Sequence, residues 1–237
     1  MWAFCLHSLC REYGWQFFWR VAMPHPLRTA KAMLGSGSLD YSGCMTALSP
    51  EGLGHGFGGA RSIVGLGFCL KPMNPPCPAG RANHDCLYLE NLRDSEALNI
   101  PAACQCCAIR EIGRLTLRTG AALYIMTSAR DILLDVFTPA INEGKFSSGL
   151  FALCRYSLRP FAVGLLASGI RGWLFTFEKG DCRDYETWLQ ADRGIKEEQT
   201  GIADPNRKTI MKLLGEAAKE PHDATHFEKT GNLLYPK

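Results

Sequence analysis

Eleven cysteines punctuate this 237-residue chain, and eight of them fall between Cys69 and Cys182. Cys104-Gln105-Cys106-Cys107 is the one tight group, while Cys69, Cys77 and Cys86 succeed one another with seven and eight residues between. A thiol becomes a nucleophile or a metal ligand only as thiolate, so the question is what would gather and ionise these side chains. Met1 to Arg20 does not read as an export signal, because His7, Arg11, Glu12 and Gln16 interrupt its apolar residues and no small-residue cleavage site follows a continuous apolar run. The expected location is therefore cytoplasmic, where thiols stay reduced and where a cysteine-rich chain points to metal ligation.

Structural zinc sites are usually built from two tight pairs, each closing a knuckle. Only one tight group is present here. Widely spaced cysteines on separate loops suit a cubane held at the edge of a sheet, so the expected cofactor is an iron–sulfur cluster of the 4Fe-4S type, with zinc as the alternative. Cys77-Pro78 is like the Cys-Pro ending of bacterial ferredoxin runs. The candidate metal ligands are Cys69, Cys77, Cys86, Cys104, Cys106, Cys107, Cys154 and Cys182. Four would complete a cubane, which leaves others for redox work, a second centre or packing. Cys154 lies within an apolar run, where a packing role is an equal alternative. Cys5, Cys10 and Cys44 precede the readable fold and are not expected to ligate. Arg155 and Lys179, beside Cys154 and Cys182, are candidates for binding an anionic substrate or balancing cluster charge, against an ordinary surface role. His84, two residues before Cys86, is a candidate ligand or proton shuttle, although a loop histidine is more often solvated. Asp131 and Asp135 share a helical face and read as a solvated stripe.

These residues need elements to position them. Ile63 to Cys69, Ala121 to Met126, Gly149 to Cys154 and Gly172 to Phe177 are short apolar runs expected as buried strands. A helix introduced by Pro101 puts Ile109, Ile112 and Leu115 on one face and stops at Gly120. A second spans Arg130 to Ile141, and a third spans Leu158 to Ser168 before Gly169. Alternation of strand and helix implies an α/β fold: an open, mainly parallel sheet of about four strands flanked by helices. Strand C-termini and helix N-termini then share one edge, where open α/β folds place ligands. That edge is expected to gather Cys69, Cys104, Cys107 and Cys182, with the stiff proline-rich loop of Lys71 to Cys86 folding over it. A helix N-terminus would lower the pKa of Cys104, Cys106 or Cys107 and donate hydrogen bonds to a ligated sulfur.

The expected division is an atypical N-terminal extension over 1–60, with Gly35-Ser36-Gly37-Ser38 as a flexible linker; a cysteine-rich α/β domain over 61–203; and a C-terminal helix and tail over 204–237. Within the 61–203 domain Tyr185 to Leu189 forms a helical turn or more; in the last part Asp204-Pro205 begins a helix with Ile210, Leu213, Leu214 and Ala217 on one face, Pro221 ends it, and the last fifteen or so residues form a loose tail.

The net charge is +3, and basic residues are scattered without interleaved aromatics, so no nucleic-acid partner is expected. No membrane span is expected either. The glycines of 52–59 precede the first strand instead of following it, which is the wrong context for a dinucleotide fingerprint.

From Cys104 onward, Cys104 and Cys107, Ile109, Gly120, Cys154 and Gly180-Asp181-Cys182 resemble the pattern of an uncharacterised prokaryotic cysteine-rich family of unknown function, family one-one-six. The resemblance covers about a third of the chain and departs at Cys106 and at the loop bearing Cys77 and Cys86. It implies a shared cysteine-lined site and supplies no reaction. The residues together point to a metal-binding protein with a redox or electron-transfer role, served by a redox partner protein or a small anionic substrate. The alternative is a zinc-stabilised binding module without catalysis. They do not separate an enzyme from a carrier.

Overall fold

The computed structural model describes residues 13–48, 57–92, 100–218 and 222–237. Four strands, β2 (Ser62–Gly67), β3 (Ala122–Met126), β4 (Ser148–Leu153) and β5 (Arg171–Lys179), run parallel in the spatial order β5-β4-β2-β3. They coincide with the four apolar runs of the sequence. Each is buried on both faces, which is why the sequence shows continuous apolar residues instead of alternation. Within each strand the side chains still divide by period two. Ile63, Tyr124, Phe151 and Leu174 enter one core, while Val64, Leu123, Leu150 and Phe175 enter the other.

The connections fill both faces. From β2 the chain passes through the proline-rich loop, α3 (Leu87–Glu90), α4 (Ala102–Gln105) and α5 (Ala108–Arg118) to β3. Ile109, Ile112 and Leu117 of α5 pack on the second core together with Ile210 and Leu214 of a later helix, α10 (Asp204–Ala217). From β3, α6 (Ala129–Ile132) runs through a π-helical turn, Leu133–Phe137, into α7 (Thr138–Glu143), crossing the first core to reach β4. Helix α8 (Leu158–Ser168) covers that same core between β4 and β5, and its end is set by Gly169 at φ +74°. Neighbouring strands β2 and β4 thus send their chains to opposite faces, which creates a topological switch point between their C-terminal ends.

The sheet is larger than the four strands expected. Among the described residues it has eight, because short antiparallel strands extend it: β1 (Met45–Ala47) and β6 (Gly201–Ile202) pair with β5, and β7 (Phe227–Thr230) and β8 (Leu233–Pro236) form a hairpin added to β3. These strands have two to four residues, too few to show a sustained pattern. The expected loose tail is therefore a hairpin, turned at Gly231-Asn232 with Gly231 at φ +61°. Gly35 to Gly37, expected as a linker, close the twelve-residue helix α2 (Pro26–Gly37), whose Ala32 enters the first core beside Tyr13 and Phe17 of α1 (Tyr13–Phe17). The helix expected after Pro101 is broken at Cys106 into α4 and α5. Helix α9 (Tyr185–Asp192) completes the first layer through Trp188 and Ala191.

Strand glycines set how closely the layers approach. A Cβ on Gly65 would stand 2.3 Å from Cδ1 of Phe151, a fully buried ring. Gly65→Ala should cost about 1–3 kcal/mol through overpacking, seen as a lower urea midpoint at unchanged slope. Exposed Gly215 of α10 has nothing within 4 Å of its added Cβ. Gly215→Ala should instead raise the midpoint, by about 0.5–1 kcal/mol of helix propensity.

Candidate metal centre and thiol pocket

The loop leaving β2 is organised by a buried lysine. Lys71 is 2% exposed. Its Nζ donates to the carbonyls of Gly80 at 3.0 Å and Asn83 at 2.9 Å, and to Asn83 Oδ1. Burial pulls its pKa down to about 8, against the upward pull of Cys77, Cys86 and Glu90. Arg81 donates to the Lys196 carbonyl at 2.8 Å, Lys229 pairs with Asp85, and His84 Nδ1 donates to the Ile125 carbonyl at 2.7 Å. His84 also stacks on Tyr124, and its Nε2 lies 3.1 Å from Thr127 Oγ1, whose hydroxyl donates to Asp131. His84 is thus a clamp between the loop and β3. Asp131 and Asp135, expected on a solvated stripe, are hydrogen-bonded acceptors, Asp135 from Tyr124 and Asn232.

Held this way, the loop brings four thiols into electrostatic reach of one another. Cys86 responds to Cys107, Cys77 and Cys104; Cys104 responds to Cys107 and Cys77; and Cys107 responds to Cys77. Burial is the first cause that pushes Cys86 up to about 12 and raises Cys104 and Cys107, and the like charges of neighbouring thiolates add to it. The lowered pKa expected at the helix start is thereby overturned: desolvation outweighs the helix. The first-turn amides of Ile109 and Arg110 pull the Cys107 thiol down, and that of Leu89 pulls Cys86 down, against burial. Cys107 and Cys86 stand at the N-caps of α5 and α3, but neither side chain makes a capping hydrogen bond, so the hydrogen bonds expected at the helix start are not formed. Cys106 is exposed at the break between α4 and α5.

Cys69, Cys154 and Cys182 form a second group at the switch point. Cys69 follows β2, Cys154 follows β4 and Cys182 follows β5. All three line a pocket of about 90 Å³, enclosed by rings such as Phe68, Phe161, Phe177 and Trp188. Asp181 ties two of these strand ends together, accepting from the Arg155 amide at 2.9 Å and the Cys182 amide at 3.0 Å. Gly180, at φ +59°, permits this turn, since a Cβ there would stand 2.7 Å from the Gln199 carbonyl. Cys154 Sγ lies 2.8 Å from Ser157 Oγ, and the mutual influence of the two thiols raises Cys154 and lowers Cys182, to about 7. Lys196 Nζ, 3.5 Å from Cys182 Sγ, pulls the same way. Burial holds Cys69 up at about 11, although Lys196 and Arg81 oppose it.

The eight candidate cysteines therefore occupy one edge of the sheet but do not form one centre. The set expected to share an ion is divided: Cys104 and Cys107 face Cys77 and Cys86, whereas Cys69 and Cys182 face Lys196. Among the described residues, no three His, Cys, Asp or Glu side chains stand in ligating geometry for a metal ion. Cys5 and Cys10 lie outside the described residues, and Cys44 is exposed. Arg155 and Lys179 are exposed and do not line the pocket; the cation that does is Lys196. Lys196 sits in a polar segment without periodicity, so no sequence signal singles it out. Lys71 is equally silent in the sequence. No family model, curated protein or solved structure matches the chain.

Two measurements follow. Alkylation of Cys182 by iodoacetamide should rise with pH to a plateau, half-maximal near pH 7 instead of the ordinary ~8.5, and Lys196→Met should move that midpoint upward. Lys71→Met strips donors from two loop carbonyls. It should cost about 1–3 kcal/mol and open the 72–86 loop to limited proteolysis.

Proposed function

We propose that Cys77, Cys86, Cys104 and Cys107 hold a metal centre, an iron–sulfur cluster in preference to zinc, and that the chain is a redox or electron-transfer protein. The observation that carries this reading is the mutual approach of four free thiols, Cys104 and Cys107 buried and Cys77 and Cys86 half-buried. As free thiols they repel further ionisation. A bound cation would reverse that balance by making thiolate the favoured state.

The surroundings fit a negatively charged sulfur cage. Lys71 places a buried ammonium near Cys77 and Cys86, and Arg110 acts on Cys104 and Cys107. Cys86 and Cys107 stand at helix N-caps, where first-turn amides could donate to ligated sulfurs and tune a cluster's potential. The donor set is all sulfur and comes from two separate segments, a long loop and one Cys-x-x-Cys turn. A second tight pair, usual for structural zinc, is missing from the set. The free thiols are neighbours without ligand spacing, so binding has to draw the Cys77–Cys86 loop onto the Cys104–Cys107 turn. When bound, a cluster of this type supplies one-electron transfer. The residues of the chain hold the sulfurs, offset their charge and, through the surrounding apolar core of Leu89, Ile109 and Ile112, limit water. The resemblance to family one-one-six agrees with a cysteine-lined site but rests on Cys104 and Cys107 alone within this set.

Protein reconstituted anaerobically with iron and sulfide should turn brown, absorb broadly near ~400 nm and carry about four irons per chain. Single Cys→Ser changes at Cys77, Cys86, Cys104 and Cys107 should each lose most of that iron, whereas Cys44→Ser and Cys106→Ser should keep it. A colourless, iron-free product would overturn the cluster reading. Tightly held zinc that, on removal, unfolds the protein would establish the alternative.

A further inference from the structure

The thiols at the switch point have different surroundings from the four just described, and the metal centre makes no use of them. We propose that Cys154 and Cys182 form a redox-active dithiol in the switch-point pocket, which exchanges with a small apolar disulfide. This inference does not rest on the metal reading.

Four observations converge on it. The two cysteines follow adjacent parallel strands, line the same pocket and lie close enough for each to shift the other's ionisation. Asp181 holds both strand ends through the amides of Arg155 and Cys182, so the pair is positioned by backbone. Lys196 Nζ stands 3.5 Å from Cys182 Sγ, whereas Cys154 Sγ lies 2.8 Å from the Ser157 hydroxyl, which distinguishes the partners. Both thiols open onto a cavity walled by Phe68, Phe161, Phe177 and Trp188. At about 90 Å³, and with a water needing roughly 10–15 Å³ on that measure, the cavity suits a compact molecule and excludes a nucleotide. Apolar walls with a thiolate and an ammonium at one end fit a ligand whose reactive sulfur lies beside an apolar body.

The asymmetry of the pair assigns the steps. The Cys182 thiolate attacks one sulfur of the disulfide R–S–S–R. The new bond is Cys182 Sγ–S–R, the R–S–S–R bond breaks, and the departing R–S⁻ takes a proton from the Lys196 ammonium, which regains one from water. Cys154 then gives up its proton and attacks Cys182 Sγ, and the second R–S⁻ leaves with that proton. Two electrons pass from the protein sulfurs to the substrate, giving two R–SH and a Cys154–Cys182 disulfide. Excess small thiol reverses both steps.

The test uses the 237-residue chain and diethyl disulfide at pH 7, followed by acid quench, alkylation under denaturing conditions and peptide mapping. The expected product is a single Cys154–Cys182 cross-link that dithiothreitol removes. Cys154→Ser should stop at a mixed disulfide on Cys182, Cys182→Ser should give no adduct on Cys154, and Lys196→Met should slow exchange at pH 7 by about tenfold. Recovery of Cys154 and Cys182 as free thiols from the wild-type chain would overturn the proposal, as would a cross-link from Cys182 to Cys69 in place of Cys154. The wild-type map decides even where a variant does not fold. Iron content separates this outcome from the metal centre: Cys154→Ser and Cys182→Ser should retain the iron that Cys77→Ser loses.

Discussion

Parallel alignment is the constraint from which the rest follows. When β2, β3, β4 and β5 run the same way, each chain leaves its strand at the same rim. Cys69, Cys154 and Cys182 stand within three residues of a strand end, so the sheet itself brings them together. The second consequence is the switch point. Because β2 and β4 feed opposite faces, their ends part and leave a pocket that the following helices roof without filling.

Two electrostatic regimes share that rim. At Cys86, Cys104 and Cys107, burial and mutual repulsion keep protons on sulfur, and the nearby Lys71 and Arg110 charges offer compensation that neutral thiols do not use. At Cys182 the neighbouring Cys154 thiol and one ammonium outweigh burial. The difference is direct contact: a cation at hydrogen-bond distance acts before desolvation dominates, whereas Lys71 spends its donors on loop carbonyls. The first group is the one proposed to hold a metal centre. The second is built to ionise one of its own members.

Legibility followed burial. The four central strands were readable because both faces are apolar, and α8 because Gly169 ends it at a left-handed angle. The edge strands were not, since β7 is Phe-Glu-Lys-Thr and only its first residue is buried. Gly231-Asn232 was a hairpin signal that the polar residues around it obscured. In the site, cysteine types and their common edge were readable, while their division into two groups was not. Arg155 and Lys179 are close to Cys154 and Cys182 along the chain, yet Arg155 opens a 3₁₀ turn after β4 and Lys179 ends β5, and both are exposed.

What residue order alone determined was the alternation of buried strands and covering helices, and hence a parallel α/β sheet with thiols at one rim. Such information is local: apolar runs, glycine stops and proline stiffness act over a few residues. Which sulfur meets which, and that Lys71 and Lys196 are the cations beside them, was decided only by tertiary structure. Those contacts depend on how a sixteen-residue loop from Lys71 to Cys86 folds back over the sheet and on where a polar segment lands after α9. Neither is encoded in a periodicity, because each is settled by hydrogen bonds between residues far apart along the chain.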